Sequence, residues 1–250
     1  YFTTLGRGGS DTTASILGVM LDAERIEIYT DVDGVMTADP RIVKSASVID
    51  IISYDEVFQL ADQGSKVIHP RAVEYAREGN IPIMIKNTLN DTIGTLINSV
   101  GDRKRRRLIT SITNHDDRIQ VTINLDDNKG NDRYNDVLEI LAANKISLDL
   151  INIFPRQQVF TISKAAKDIV KDIFGKLDLK YTLIDNCSTI ALVGAGMKGI
   201  PGVMAKIYKT LSESNIEVLQ TADSHMTIWC LIHTENLEKA INALHKAFKL

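Results

Sequence analysis

An internal repeat in the C-terminal part of the chain constrains the fold more than any other feature. Short apolar stretches recur 70 positions apart, at 121–123 and 191–193 and again at 160–162 and 230–232. Self-similarity at a fixed period indicates that each copy is one supersecondary unit. Each copy has the pattern strand, helix, strand, strand, helix, with a final strand expected. This order, βαββαβ, is typical of a ferredoxin-like unit.

The first hundred residues show a different pattern, in which strands alternate with helices. Apolar stretches at 25–30 and 81–85 predict strands, and the periodicity predicts helices over 11–22 and 70–78. The sequence at 53–56, Ser-Tyr-Asp-Glu, is a capping box and predicts a further helix start. We therefore expect a layered α/β fold with a mainly parallel sheet. The strand-like stretch 108–112 lies outside the repeat and needs a partner sheet.

Composition excludes several classes of function. The 250 residues are 44% hydrophobic and 24% charged with a net charge of −3, so we expect a soluble protein that binds neither nucleic acid nor membrane. The basic run 103–107 favours a solvated linker between domains over a nucleic-acid patch. Cys187 and Cys230 form neither a metal-binding spacing nor a disulfide framework. A cytoplasmic location is the simplest prediction.

The stretch 3–14 combines a glycine-rich turn at 6–9 with the start of an apolar run. Ser10 and Asp11 are predicted to cap the helix that follows. Such a turn can bind an anion, because unpaired N–H groups point outward at a helix start. Arg7 adds a planar donor fork for a carboxylate or a phosphate. A purely structural turn remains the alternative at this point.

Four ordered motifs resemble one known family. They are Thr-Thr-Leu-Gly-Arg-Gly-Gly-Ser-Asp at 3–11, Tyr-Thr-Asp-Val-Asp-Gly at 29–34, Thr-Ala-Asp-Pro-Arg at 37–41 and Gly-Ser-Lys-Val-Ile-His-Pro at 64–70. Together they resemble the C-terminal half of the aspartokinase catalytic domain. The two repeats resemble the paired ACT regulatory domains of that family, so the resemblance covers essentially the whole chain.

The resemblance implies a fold class and a domain division. The fold is α/β, with the C-terminal part of an amino-acid-kinase αβα sandwich followed by two ferredoxin-like (βαββαβ) ACT domains. The implied domains are 1–104, 105–187 and 188–250. The strand at 108–113 would be donated to the second ACT unit, across the first.

The resemblance also implies a substrate site and a nucleotide site. Arg7 would pair with the α-carboxylate of L-aspartate, and Asp11, the implied catalytic residue, would hold the α-ammonium group or orient catalytic lysines. The full substrate-binding set is Arg7, Gly8, Gly9, Ser10 and Asp11. The nucleotide-binding set is Thr30, Asp31, Met36, Arg41 and Lys66. Taken singly, each of these residues also has an ordinary structural explanation.

The resemblance implies that two members of the nucleotide-binding set bind phosphate, and a third differs from the residue that is usual in the family. Arg41 and Lys66 would neutralise the phosphates of ATP. Met36 stands where many aspartokinases carry an aromatic residue against the adenine, and a thioether can fill that space.

The implied effector site lies in the first repeat. Ser147 and Asp149 match the Ser-x-Asp pattern of the family and would bind an amino-acid effector. Equally, both residues could simply be the outward-facing positions of an alternating strand. The stretch 220–229 resembles isoforms inhibited by diaminopimelate. The resemblance implies that the effector is lysine or diaminopimelate, and it favours threonine less. It also implies a homodimer or a larger homo-oligomer that assembles through the ACT domains.

The implied function is ATP-dependent phosphorylation of L-aspartate to 4-phospho-L-aspartate, with ATP and Mg²⁺ as cofactors and no dedicated protein metal site. The Lys-Phe-Gly-Gly motif of the family, with its catalytic lysine, is missing from these residues. We therefore expect the 250 residues alone to be inactive. The alternative is a non-catalytic amino-acid-binding regulatory module. A kinase for another amino acid, such as glutamate, is disfavoured by the tandem repeats.

Overall fold

The computed structural model describes residues 6–65, 67–102, 107–124, 132–177, 179–197 and 199–250. The helices are α1 (Gly9–Met20), α2 (Tyr54–Asp62), α3 (Pro70–Glu78), α4 (Asp132–Ala143), α5 (Lys167–Lys176), α6 (Val203–Glu213) and α7 (Leu237–Phe248). The strands are β1 (Ile26–Thr30), β2 (Ile51–Ser53), β3 (Ile83–Asn87), β4 (Thr95–Asn98), β5 (Ser111–Asn124), β6 (Asp149–Phe154), β7 (Gln157–Ser163), β8 (Tyr181–Val193), β9 (Gln220–Asp223) and β10 (Thr227–His233).

The N-terminal sheet has four strands in the order β1-β3-β4-β2 and is mixed. β1 pairs with β3 in parallel and β2 with β4 in parallel, but β3 and β4 are antiparallel. Two of the three ladders are parallel, as expected for a mainly parallel sheet, and the exception is the antiparallel pair β3 and β4. The reason is the connection 88–94, which contains no helix and so lets the chain turn directly back.

The start of α1 also differs from the prediction. The helix begins at Gly9, and its N-cap is Gly8 in the left-handed conformation (φ 74°), with no side-chain cap among the described residues. A Cβ on Gly8 would lie 2.3 Å from the ring of His69. Only glycine tolerates both the positive φ and the lack of space for a Cβ at this position. The helix therefore begins after Gly8, before Ser10 and Asp11 can cap it. The capping box of α2, in contrast, is present as predicted.

The C-terminal sheet is antiparallel, with six strands in the order β6-β7-β5-β8-β10-β9. β5 and β8 are long strands that run through both repeats. Near one end of this ladder Val121 faces Leu183, and near the other Ile112 faces Leu192. The stretch 108–112, which was expected to be a strand of its own, overlaps β5 only at residues 111–112. The first residues of β5, 111–115, pair with the last residues of β8, 189–193.

The elements of the two repeats correspond in order and spacing. β7 begins at Gln157 and β10 at Thr227, while α5 begins at Lys167 and α7 at Leu237, so both starts are 70 residues apart. The observed fold confirms the repeat, and the first copy has the complete βαββαβ order. In the second copy no strand follows α7 among the described residues, and residues 111–115 of β5 take the place of the final strand beside β8.

Three buried clusters form the core. One lies under the N-terminal sheet, one in the first repeat (119–177) and one in the second repeat. The clusters cross the predicted domain borders: Ala38 and Val43 belong to the core of the second repeat, and Val193 belongs to the core of the N-terminal sheet. The second repeat is therefore packed directly against the N-terminal part. In the described part of the chain, no helix has the length and apolar character needed to cross a bilayer.

Candidate functional site

A cavity of about 1410 Å³ lies between the N-terminal sheet and β5. It is lined by the end of β1, by the loop 31–42, by the residues that follow α2, by the first half of β5 and by residues 163–165. Four of the five predicted nucleotide residues line it: Thr30, Asp31, Met36 and Arg41. Lys66 lies outside the described residues. A crevice beyond a strand end is where α/β sheets commonly bind ligands.

Hydrogen bonds hold the loop that follows β1. The carboxylate of Asp33 accepts from the side-chain amides of Asn87, at 2.6 Å, and Asn90, at 2.9 Å. These bonds stabilise the ionised form and lower the pKa of Asp33, the bond from Asn90 having the larger effect. The loop is thereby anchored to the end of the neighbouring strand β3.

Arg41 is held by an ion pair with Asp39. The guanidinium Nε and Nη2 donate to the two oxygens of Asp39, with the shorter bond, from Nη2, at 2.6 Å. The hydrogen bonds to Asp39 and its charge raise the pKa of Arg41. The side chain of Arg41 is 85% exposed, so it is oriented by Asp39 but accessible from solvent. A bound phosphate would compete with Asp39 for this fork.

Met36 is fixed through its backbone. Its carbonyl oxygen accepts from the hydroxyl of Ser111 at 2.8 Å, and it forms an isolated antiparallel bridge with Val48. The residue is half-buried on the cavity wall. A thioether there offers a polarisable apolar surface without fixed geometry.

The predicted substrate residues lie on a separate loop. Arg7 and Ser10 are exposed, and the carboxylate of Asp11 accepts from the backbone N–H of His69 at 3.2 Å. His69 in turn caps α3, with its Nδ1 accepting from the backbone N–H of Arg71. The glycine loop is thus joined to the segment 64–69. Described residues of that segment line the large cavity, although the glycine loop itself is not part of its lining.

The two predicted effector residues are not brought into one cavity. Asp149 lines a second cavity of about 380 Å³, where its carboxylate lies 3.5 Å from the guanidinium of Arg118. Trp229 and His115 also line this cavity. Burial lowers the pKa of His115, and the charge of Arg118 lowers it further. Ser147 is exposed, and the described lining of the cavity does not include it.

The contribution of β5 to the large cavity was missed by sequence reasoning. Residues 113–118 line its wall, and they include a β-bulge between His115 and Arg118. Asp117 lies at the bulge with φ 58°. The polar run at 114–117 inside a long strand was a signal that this stretch faces something other than the core.

Comparison with known proteins assigns the fold to a class. Residues 2–87 match the amino acid kinase family and residues 182–246 match the ACT domain. The chain is 42% identical over 253 residues to aspartokinase 1 of Bacillus subtilis, covering 99% of this chain and 62% of the relative. The chain thus spans about 62% of the length of the curated relatives it matches.

Solved structures of aspartate kinases superpose on this chain and so agree with the sequence comparison. Aspartate kinase of Clostridium acetobutylicum superposes with a TM-score of 0.90 at 29% identity, covering 98% of this chain and 59% of that one. E. coli aspartokinase III, solved with aspartate and ADP, superposes with a TM-score of 0.82 at 28% identity, covering 99% of this chain and 57% of that one. These features define a segment of an amino acid kinase joined to ACT domains. Within that class, the chain belongs to the aspartokinase family.

Proposed function

We propose that the protein to which this chain belongs is an ATP-dependent aspartate kinase that forms 4-phospho-L-aspartate. The observation that carries the proposal is the convergence of Thr30, Asp31, Met36 and Arg41 on one cavity beyond the end of β1. Aspartokinase III of E. coli, with 28% identity, has been solved with aspartate and ADP, and this supports the choice of ligands.

The roles of the residues follow from the chemistry of phosphoryl transfer. A side-chain carboxylate oxygen of aspartate attacks the γ-phosphorus and ADP leaves, so the protein mainly positions the reactants and stabilises negative charge. We assign Thr30, Asp31 and Met36 to the nucleoside and Arg41 and Lys66 to the phosphates. The glycine loop is assigned to the substrate, with Arg7 on its α-carboxylate and Asp11 on its α-ammonium group.

Mg²⁺ would enter with the nucleotide. This ion is usually held by phosphates, waters and one or two carboxylates. In the described part of the chain there is no group of three or more histidine, cysteine or acidic side chains that could hold a metal by itself. Asp31 and Asp39 are the carboxylates of the loop 31–42 that line the cavity.

We further propose that the regulatory half binds an amino-acid effector, lysine or diaminopimelate rather than threonine. Asp149 supplies a carboxylate for an ammonium group, and Ser147 supplies a hydroxyl on the same exposed edge. E. coli aspartokinase III has been solved with lysine and aspartate, which supports this class of ligand. Arg118, paired with Asp149, is available for the effector carboxylate.

A homodimer or larger homo-oligomer is proposed from the edge of the C-terminal sheet. β6 is an edge strand, and Ile151, Ile153 and Phe154 on it are about half exposed or more. Exposed apolar edge strands are surfaces on which sheets associate. We retain the domain division 1–104, 105–187 and 188–250. A cytoplasmic location is proposed from the two free, buried cysteines.

The nucleotide assignment can be tested by calorimetric titration of the chain with ADP. Arg41→Ala removes the phosphate fork, and we expect the Kd for ADP to rise about tenfold. Arg77→Ala is the control, because Arg77 also forms an ion pair at the surface, with Asp55, and does not line the cavity. The control should leave the Kd unchanged.

Equal affinity of Arg41→Ala and the unmodified chain would contradict the assignment of Arg41. Binding of lysine or diaminopimelate by a chain that does not bind ADP would instead favour a non-catalytic regulatory module.

A further inference from the structure

Helix α2 carries a stripe of polar side chains toward the second repeat. Glu56, Gln59 and the C-cap residue Gln63 are spaced three and four positions apart and so lie on one face of the helix. Glu56 is 5% exposed, and its Oε1 accepts from the hydroxyl of Thr110, at 2.6 Å, and from the backbone N–H of Ala195, at 3.1 Å. The first turn of α2 is therefore tied to the loop before α6.

The other two members of the stripe bind β10. The Oε1 of Gln59 accepts from the buried hydroxyl of Thr227 at 3.2 Å. The Oε1 of Gln63 accepts from the indole Nε1–H of Trp229 at 2.8 Å. The whole length of the helix is thus hydrogen-bonded to the second repeat, and the contact nearest the cavity is the bond between Gln63 and Trp229.

The turn that directly follows α2 is part of the wall of the large cavity. Gly64 and Ser65 line it, directly after Gln63. A Cβ on Gly64 would lie 2.5 Å from the carbonyl oxygen of Asn114, so this turn is packed tightly on β5. The hydroxyl of Thr113 donates to the carbonyl oxygen of Gln63 at 3.4 Å. A displacement of β10 would therefore move the backbone of Gly64 and Ser65.

We infer that α2 transmits the state of the second repeat to the nucleotide cavity, and that Gln63 is the positioning residue at the point of transfer. The inference rests on the proposed function, since it takes the large cavity as the nucleotide site. Gln63 does not act on the nucleotide itself. It acts by holding the turn 64–65 against β5 while it accepts the bond from Trp229.

Trp229 is the only tryptophan in the sequence, so its fluorescence reports directly on this contact. We would compare the unmodified chain with Gln63→Met, which removes the acceptor, and with Gln63→Asn, which retains both the acceptor oxygen for Trp229 and the amide N–H that Gln63 donates to Asp62. Gln157→Met is the matched control, because Gln157 lies in β7, where its amide donates to Asn124 at 3.2 Å. Each chain would be measured by tryptophan emission, by amide hydrogen exchange over 60–65 and by ADP titration.

Gln63→Met should alter the emission, speed exchange at Ser65 and raise the Kd for ADP about fivefold, as expected for one lost hydrogen bond. In the same chain, ADP should no longer change the emission of Trp229. Gln63→Asn should bring all three properties back toward those of the unmodified chain, because it keeps the amide acceptor and donor. Gln157→Met should leave them unchanged. A purely structural role would lower the melting temperature without uncoupling the emission from ADP.

Unchanged exchange at Ser65 in Gln63→Met would overturn the inference, whatever the chain does with ADP. Failure of the unmodified chain to bind ADP would count against the proposed function. In that case faster exchange at Ser65 would still support the mechanical link through α2. The two failures are therefore distinguishable.

Discussion

His245 links the last helix to the loop 31–42, which lines the large cavity. The residue is 2% exposed, and its Nε2 lies 2.9 Å from the hydroxyl oxygen of Thr37. Thr37 is equally buried and also accepts, through that oxygen, from the backbone N–H of Ser47. Burial lowers the pKa of His245, and the charge of Arg107 lowers it further. The neutral ring is therefore the form that the fold accommodates.

This residue predicts a pH dependence of stability. In the unfolded chain a histidine titrates near pH 6.5. Because the pKa of His245 is lower in the folded state, the unfolded state binds more protons as the pH falls. The contribution of His245 to the free energy of unfolding is therefore fully present above about pH 6.5. It is lost as the pH falls below that value towards the lower pKa of the folded state. His115 contributes in the same direction. Urea unfolding midpoints at two pH values, one on each side of this range, would measure the effect.

His245→Gln should show a smaller decline than the unmodified chain, since an amide can keep the bond to Thr37 without titrating. His225→Gln, at an exposed position, serves as the control and should behave like the unmodified chain. A decline of equal size in His245→Gln would refute the assignment of this pH dependence to His245.

At the scale of elements, β6 is the exposed edge of the C-terminal sheet. Ile153 is 64% exposed there, which is costly for an isolated chain and favourable if a second copy covers it. We predict that Ile153→Lys shifts the sedimentation coefficient toward that of a monomer, because a charged side chain on an edge opposes pairing. Leu89→Lys is the control, since Leu89 is 86% exposed away from this edge. A loss of self-association with Leu89→Lys alone would contradict the assignment of β6.

The bounds of α3, 70–78, were predicted correctly by local patterns, because periodicity and caps act over a few residues. The long strands β5 and β8 were predicted only as short separate pieces. The capping box at 53–56 marked the start of α2 correctly. The start of α1 was not predicted correctly, because the close approach of His69 to Gly8 is a contact between segments that are distant in the chain. The three-residue strand β2 is too short to leave a periodic signal.

At the scale of the whole molecule, the three cores divide the chain unevenly. The core of the first repeat contains only its own residues, whereas the other two share residues across their boundary. We predict two unfolding transitions: one for the first repeat, and one for the second repeat together with the N-terminal sheet. Trp229, at the boundary with α2, reports the latter transition.

Phe160→Ala tests this division, since Phe160 is fully buried in the first repeat. We expect a loss of about 3–5 kcal/mol in the stability of that unit. Far-UV circular dichroism should then show an earlier transition, while the midpoint followed by Trp229 emission stays in place. An equal shift of both midpoints would show that β5 and β8, which run through both repeats, make the regulatory half one cooperative unit.

The candidate site was partly predictable from sequence. Thr30, Asp31, Met36 and Arg41 were chosen from motifs, and the structure places all four on one cavity. The wall contributed by residues 113–118 was not anticipated, nor was the pairing of Asp149 with Arg118. These contributions come from strands that are distant in the chain.

The sequence by itself determined the repeat, the order of its elements and the family, because apolar spacing and short motifs are local properties. Only the tertiary structure decided that β5 is shared between two repeats and forms part of the wall of the large cavity. The physical reason lies in the backbone: any extended strand offers the same N–H and C=O groups. The local sequence of residues 111–115 therefore does not indicate that they pair with residues 189–193. That choice depends on which apolar faces can be buried together.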